Sequence, residues 1–175
     1  MRRRFIRNAN CVEAADDESR IRSVALALQS YREHGAKELE AKLSRKGYDT
    51  VTSAQVIDDL RESGLVSDRR FTEAFVRSHA DRGRGPVRIR HELRELGVAA
   101  DLIEAALATG ETDWEALAVQ VRQRKFGQDA PGTYVLRAKQ MRFLQYRGFS
   151  TQQIRAAFAS HAYEADDLPD MDPDD

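Results

Sequence analysis

Apolar residues along the chain recur three and four positions apart almost from end to end. Ile21, Ala25 and Leu28 follow that spacing, as do Leu39 and Leu43, Val56 and Leu60, Phe71 and Phe75, Ile89 and Leu93, Ile103 and Leu107, and Ile154 and Phe158. This is the period of one buried helix face. Strict alternation over a strand's length is absent, since the nearest stretch, Tyr48 to Val51, is too short and too polar. The pattern predicts an all-α protein.

Punctuation between the runs agrees. Thr112-Asp113-Trp114-Glu115 and Ser150-Thr151-Gln152-Gln153 read as capping boxes. Ser53, and Ser67 or Asp68, are candidate caps, and Pro86 suits a first helical turn. Gly35, Gly47, Gly64, Gly83, Gly97, Gly110, Gly127 and Gly148 fall where helices should end.

Three of these glycines expose a repeat. Leu43-Ser-Arg-Lys-Gly47-Tyr48 aligns with Leu93-Arg-Glu-Leu-Gly97-Val98 and with Leu144-Gln-Tyr-Arg-Gly148-Phe149. Each copy has a Leu four before the Gly and a large apolar residue just after it. A short apolar helix is predicted after each copy, and a longer one ahead of it, at roughly 17–33, 68–82 and 113–126. The copies stand about 50 residues apart, the first carrying a short insertion around Asp49 to Thr52. The expected fold is three tandem three-helix repeats, about nine helices, in an elongated array, curved or straight. Its expected division is a polar N-terminal extension (1–16), repeats at 17–66, 67–111 and 112–163, and a disordered acidic tail (164–175).

Charge changes the picture. The 175 residues hold 28 Lys and Arg against 29 Asp and Glu, a formal net of −1. Seven of the acids, Glu164, Asp166, Asp167, Asp170, Asp172, Asp174 and Asp175, crowd the last twelve residues, so the body carries an excess of six positive charges. Eight arginines stand between Arg69 and Arg94 against Glu73, Asp81 and Glu92. Between Arg122 and Arg147, Arg122, Arg124, Lys125, Arg137, Lys139, Arg142 and Arg147 face Asp129 alone. These residues do not follow the repeat register: Arg88, Arg90 and Arg94 align with Glu38, Glu40 and Ser44 of the first copy. Positions that vary between copies are surface positions, and the surface of the second and third repeats has become basic. Arg84, Arg88, Arg90, Arg94, Lys139, Arg142 and Arg147 are the candidate contact residues for a partner or nucleic acid.

No catalytic constellation accompanies them. His34, His79, His91 and His161 lack metal-ligand spacing, and Cys11 is the one cysteine. Gly83-Arg84-Gly85-Pro86 lacks the Gly-Lys-Ser/Thr ending of a phosphate loop, and Pro86 removes an amide such a loop would use. Neither catalysis nor a cofactor is expected. The lone thiol and the lack of a signal-length or membrane-spanning apolar run fit a cytoplasmic protein.

These stretches resemble the RecX family of RecA regulators. The match is strongest at Gly85-Pro-Val-Arg-Ile-Arg-His-Glu-Leu-Arg-Glu-Leu-Gly97-Val98. It continues at Lys37-Glu-Leu-Glu-Ala-Lys-Leu43, Asp68-Arg-Arg-Phe-Thr-Glu-Ala-Phe75, Arg124-Lys-Phe-Gly127 and Arg142-Phe-Leu-Gln-Tyr-Arg-Gly-Phe149. Gly35 stands where the family often has a Ser cap, Ser67 where Asp is frequent, and His79 where Arg is usual. The resemblance implies a monomer that binds RecA filaments on single-stranded DNA, with weaker contact to duplex, and restrains recombinase, ATPase and coprotease action. The alternatives are a general DNA-binding helical module that reads only phosphates and, less well supported, a sequence-specific helix-turn-helix regulator.

Overall fold

The computed structural model describes residues 6–109 and 111–159, with side chains from residue 17 onward. Residues 1–5, Gly110, His161 and the acidic tail lie outside the described residues, as does the Cys11 side chain. Among the described residues there are nine α-helices and no strand. They are α1 (Ile6–Tyr31), α2 (Ala36–Arg45), α3 (Thr50–Glu62), α4 (Asp68–Asp81), α5 (Pro86–Glu95), α6 (Ala100–Leu107), α7 (Trp114–Phe126), α8 (Tyr134–Tyr146) and α9 (Thr151–Ala156). The all-α, three-by-three plan read from the periodicity is the observed one. The extra residues of the first copy lengthen α3 to 13 residues against 8 in α6 and 6 in α9.

The helices belong to two compact bodies. One takes residues up to His79 together with Arg90–Thr109, and the other takes Ala80–Ile89 and the residues after Thr109. In the first, α1, α2 and α3 pack around Ile21, Ala25, Leu39, Leu43, Val56, Ile57 and Leu60, with Val24, Leu28 and Tyr48 at the edge. In the second, α7, α8 and α9 close over Ala118, Val121, Met141, Leu144, Phe149, Ile154, Ala157 and Phe158. The cores are mostly aliphatic, as a chain with 7% aromatic residues requires. On α5, Ile89 and Leu93 are fully buried and Leu96 partly so.

The recurring Leu-x₃-Gly-apolar signature is one local device used three times. At the end of α2 the Tyr48 N–H donates to Leu43 O (3.2 Å) and the Gly47 N–H to Ser44 O (2.9 Å), with Gly47 at φ +88°. Val98 and Gly97 bond Leu93 O and Arg94 O (3.1 and 2.9 Å) at the end of α5, where Gly97 has φ +75°. Phe149 and Gly148 do the same to Leu144 O and Gln145 O (3.2 and 2.8 Å) after α8, with φ +88°. This six-to-one plus five-to-two pattern is a Schellman cap. Glycine suits the left-handed residue, and Tyr48 and Phe149 turn back into the same cores as Leu43 and Leu144. Leu43, Leu93 and Leu144 are each 0% exposed.

Helix starts follow the sequence less closely. Ser150 and Gln153 form the expected capping box on α9. For α7 the cap is Asp113, one residue beyond the expected Thr112; its carboxylate accepts from the N–H groups of Glu115 and Ala116 at 3.1 and 2.9 Å. Ser53 lies buried inside α3, whose cap is Asp49. The insertion supplies that carboxylate four residues earlier. Both candidates before α4 are used, for different helices. Ser67 Oγ accepts from the Arg70 N–H (3.3 Å), while Asp68 Oδ1 accepts from the Ala36 N–H (2.8 Å) at the start of α2. The cap α2 lacks at Gly35 therefore comes from α4. A Cβ on Gly35 would lie 3.1 Å from that carboxylate oxygen and 3.0 Å from Phe71 Cδ1, so a serine there would crowd both side chains.

His34, between α1 and α2, is buried. Its Nδ1 lies 2.9 Å from Arg32 O and its Nε2 2.8 Å from Lys42 Nζ. An ammonium can only donate, so Nε2 accepts and Nδ1 carries the proton of a neutral ring. Burial lowers the His34 pKa, against the Arg32 carbonyl and Glu38, and with help from the Arg32 and Lys42 charges. Glu38, clamped by Arg32 and 3.4 Å from Lys42 Nζ, is lowered too: burial alone would raise its pKa, but the Arg32 hydrogen bond and the nearby cations outweigh it. A depressed folded pKa means that the unfolded chain takes up the proton first. The stability from His34 is thus complete above its unfolded value of 6.5 and is lost as pH falls through the folded value. Wild type should show a lower urea midpoint at about pH 5.5 than at about pH 7.5, and His34→Gln should lose much of that difference. An identical pH response in the variant would place the loss elsewhere.

Candidate nucleic-acid interface

The structure sorts the seven candidate contact residues by what each already holds. In the first body, Arg90 forms a two-pronged ion pair with Glu104 of α6, Nε to Oε1 at 2.7 Å and Nη2 to Oε2 at 2.9 Å. The pair raises the Arg90 pKa and lowers that of Glu104, the hydrogen bond being the largest cause in both. Arg90 therefore ties α5 to α6. Arg94, one turn on, is exposed.

The other five lie in the second body. Lys139 and Arg142 are exposed on α8. Arg84 and Arg88 are half-buried around Pro86. Arg88 donates from Nη1 to Tyr146 O (3.4 Å) and lies 5.6 Å over the Tyr146 ring. Arg147 donates from Nη1 to Arg82 O (3.2 Å) and lies 5.2 Å over Phe143. These contacts fasten the loop before α5 to the end of α8.

Two glycines make that junction possible. The Gly85 N–H donates to Arg147 O (2.8 Å) and the Val87 N–H to Gly148 O (3.0 Å). A Cβ on Gly85 would fall 2.2 Å from Gly148 O, and one on Gly148 would fall 2.3 Å from Arg88 Cβ. The Gly83-Arg84-Gly85-Pro86 segment is thus a site of backbone-to-backbone packing. Gly83, at φ +73°, ends α4.

Beside the junction opens a cleft of about 220 Å³ lined by Asp81, Arg82, Gly83, Val121, Arg124, Lys125, Phe143 and Arg147. In the sequence Arg82, Arg124 and Lys125 are members of the basic runs, with nothing local to distinguish them from their neighbours. Their convergence follows from the packing of α7 and α8 against residues 82–85, which no local pattern reveals.

Arg122 must be moved out of the surface charge. It is 0% exposed, inside the second body. Its Nη1 donates to Asp129 O (3.2 Å) and Gln140 Oε1 (3.3 Å), its Nη2 reaches Gln128 O (3.5 Å), and it lies 5.4 Å over Phe158. Burial lowers its pKa. The guanidinium pins the α7–α8 loop to the core. One signal was available: Arg122 sits four residues after Ala118, on the face that α7 buries.

Comparison with known proteins decides the family. Family models described as the first, second and third three-helix domains of RecX match residues 22–60, 67–107 and 111–158. The chain belongs to the RecX family. It is 45% identical over 148 residues to the Regulatory protein RecX of Halorhodospira halophila, covering 85% of this chain and 92% of that one. To the Regulatory protein RecX of Vibrio vulnificus it is 38% identical over 141 residues, 81% and 92% of the two chains. The crystal structure of RecX from Lactobacillus salivarius superposes with a TM-score of 0.69 at 25% identity, over 83% of this chain and 97% of that one. Another RecX crystal structure shares the fold, with a TM-score of 0.72 at 20% identity over 87% and 77%. The RecX-like motifs thus extend across all three repeats. Among the described residues no helix is long and apolar enough to cross a membrane, and no group of three or more His, Cys, Asp or Glu is placed to hold a metal ion.

Proposed function

We propose that this chain is a non-enzymatic cytoplasmic regulator of RecA, acting as a monomer. It binds RecA filaments on single-stranded DNA, touches both protein and nucleic acid, and restrains strand exchange, ATP hydrolysis and coprotease action. Family membership supports the regulatory role. The observation that carries the nucleic-acid contact is the grouping of cations in the second body: Arg124, Lys125, Lys139 and Arg142 have no ion-pair partner among the described residues. Unopposed like charges repel one another, and a bound polyanion relieves that repulsion.

Substoichiometric addition to RecA on single-stranded DNA should depress its ATPase and strand exchange. The charge reversals that test this surface are Lys139→Glu and Arg142→Glu, combined, both exposed on α8 of the second body. Reversing Arg88, Arg90 and Arg94, the set suggested by sequence, would also break the Arg90–Glu104 pair and the Arg88 link to Tyr146. The combined surface variant should keep its helical circular dichroism and lose inhibition. Full inhibition by it would move the contact face elsewhere. Under the alternative reading, a general DNA-binding module, bare DNA and RecA-coated DNA would compete equally for the protein.

A further inference from the structure

We infer that the cleft at the α4–α5 loop seats a phosphate of an unpaired nucleic-acid strand, and that Tyr146, the neighbour in sequence of the cleft residue Arg147, stacks a base. This rests on the DNA-contact reading above and deepens it.

Three cations, Arg82, Arg124 and Lys125, are exposed at the cleft, and Arg147 lines it half-buried. Asp81 is the one acid among the lining residues. Arg147 is already fixed, one Nη on Arg82 O and its plane over Phe143, so little side-chain freedom remains to be lost when an anion arrives. Arg124 and Lys125 have no ion-pair partner among the described residues, so an incoming anion displaces none from them. The ligand chemistry is that of a single compact anion.

Tyr146 separates a nucleotide from an acidic side chain as the occupant. It is the residue before Arg147 and is 77% exposed, although it ends a helix whose other face is core. Arg88 lies over the ring and also holds the Tyr146 carbonyl. A cation behind an exposed aromatic ring makes a platform on which a base can stack. Val135, Lys139, Arg142 and Tyr146 recur at four, three and four along α8, all exposed, so the platform continues into a basic stripe. An acidic protein segment would use the cations and leave the ring idle. A duplex would offer phosphates but no unstacked base.

The test is fluorescence anisotropy of a labelled single-stranded oligonucleotide and its duplex, titrated with the full chain over a range of salt. Arg124→Ala with Lys125→Ala should flatten the slope of log K against log salt on the single strand by about 0.7 for each phosphate that the variant no longer neutralises. Tyr146→Ala should weaken single-strand binding about tenfold, leave duplex binding and the salt slope in place, and be rescued by Tyr146→Phe. An unchanged slope in the double variant, or equal losses on both nucleic acids in Tyr146→Ala, overturns the inference. So does a double variant that binds DNA like wild type but no longer binds DNA-free RecA, since the cleft would then hold an acidic protein surface. In each of these cases inhibition of RecA by wild type would still stand, so the failure of this site is distinguishable from failure of the regulatory reading.

Discussion

Gly85→Ala is expected to unfold the second body's junction and cost at least about 3 kcal/mol, more than any surface substitution in this chain. The new methyl would sit 2.2 Å from Gly148 O, 2.3 Å from Gly148 C and 2.5 Å from Phe149 N, all backbone atoms that cannot swing aside. Relief requires the α4–α5 loop to separate from the turn after α8. Both backbone hydrogen bonds across the junction, Gly85 to Arg147 O and Val87 to Gly148 O, would break with that movement. Gly148→Ala meets Arg88 from the other side and adds the strain of φ +88°, so it should be at least as harmful. Thermal unfolding should fall by roughly 10 °C for either change. Gly132→Ala is the control: a Cβ there meets nothing within 4 Å, and its stability should match wild type. A Gly85→Ala protein as stable as wild type would mean that the two backbones are not packed as described.

The second large effect concerns Arg122. Arg122→Ala should cost roughly 3 kcal/mol, through the cavity left in the core and the loss of its hydrogen bonds to the 128–129 carbonyls and Gln140. Arg122→Met should cost less, because it fills much of the volume while removing a buried charge. Urea unfolding ranks the three proteins. Neither variant should alter the salt slope of DNA binding, since Arg122 is not on the surface. A shallower slope in folded Arg122→Met would return this residue to the contact face.

Arg122 also marks what the linear sequence leaves hidden. The Schellman caps were legible because every atom involved lies within six consecutive residues, and the leucine, the glycine and the apolar follower are each required by that geometry. Ser150 and Gln153 were legible for the same reason. Side chains answered from far along the chain were not. Asp68 caps a helix starting 32 residues earlier, Arg90 meets Glu104 fourteen residues on, and Arg147 reaches the Arg82 carbonyl 65 residues back. An arginine in a basic stretch looks solvated until the fold shows which carbonyls surround it. Charge counting therefore located the basic repeats but could not separate Arg124 and Lys125, which face the cleft, from Arg122 and Arg90, which hold the protein together.

The pairing of Gly85 with Gly148 bears on how pieces of this molecule can be exchanged. In sequence the third repeat looks like a self-contained cassette, and a family model delimits it at 111–158. Cut out at that boundary, it would leave behind Ala80–Ile89, and with it the donors to Arg147 O and Gly148 O and the carbonyl that orients Arg147. A chimaera that borrows this repeat from a relative must therefore carry the ten residues around Pro86 from the same parent. Grafts joined at the repeat boundary would mismatch the glycines and disturb the cleft even if every helix formed.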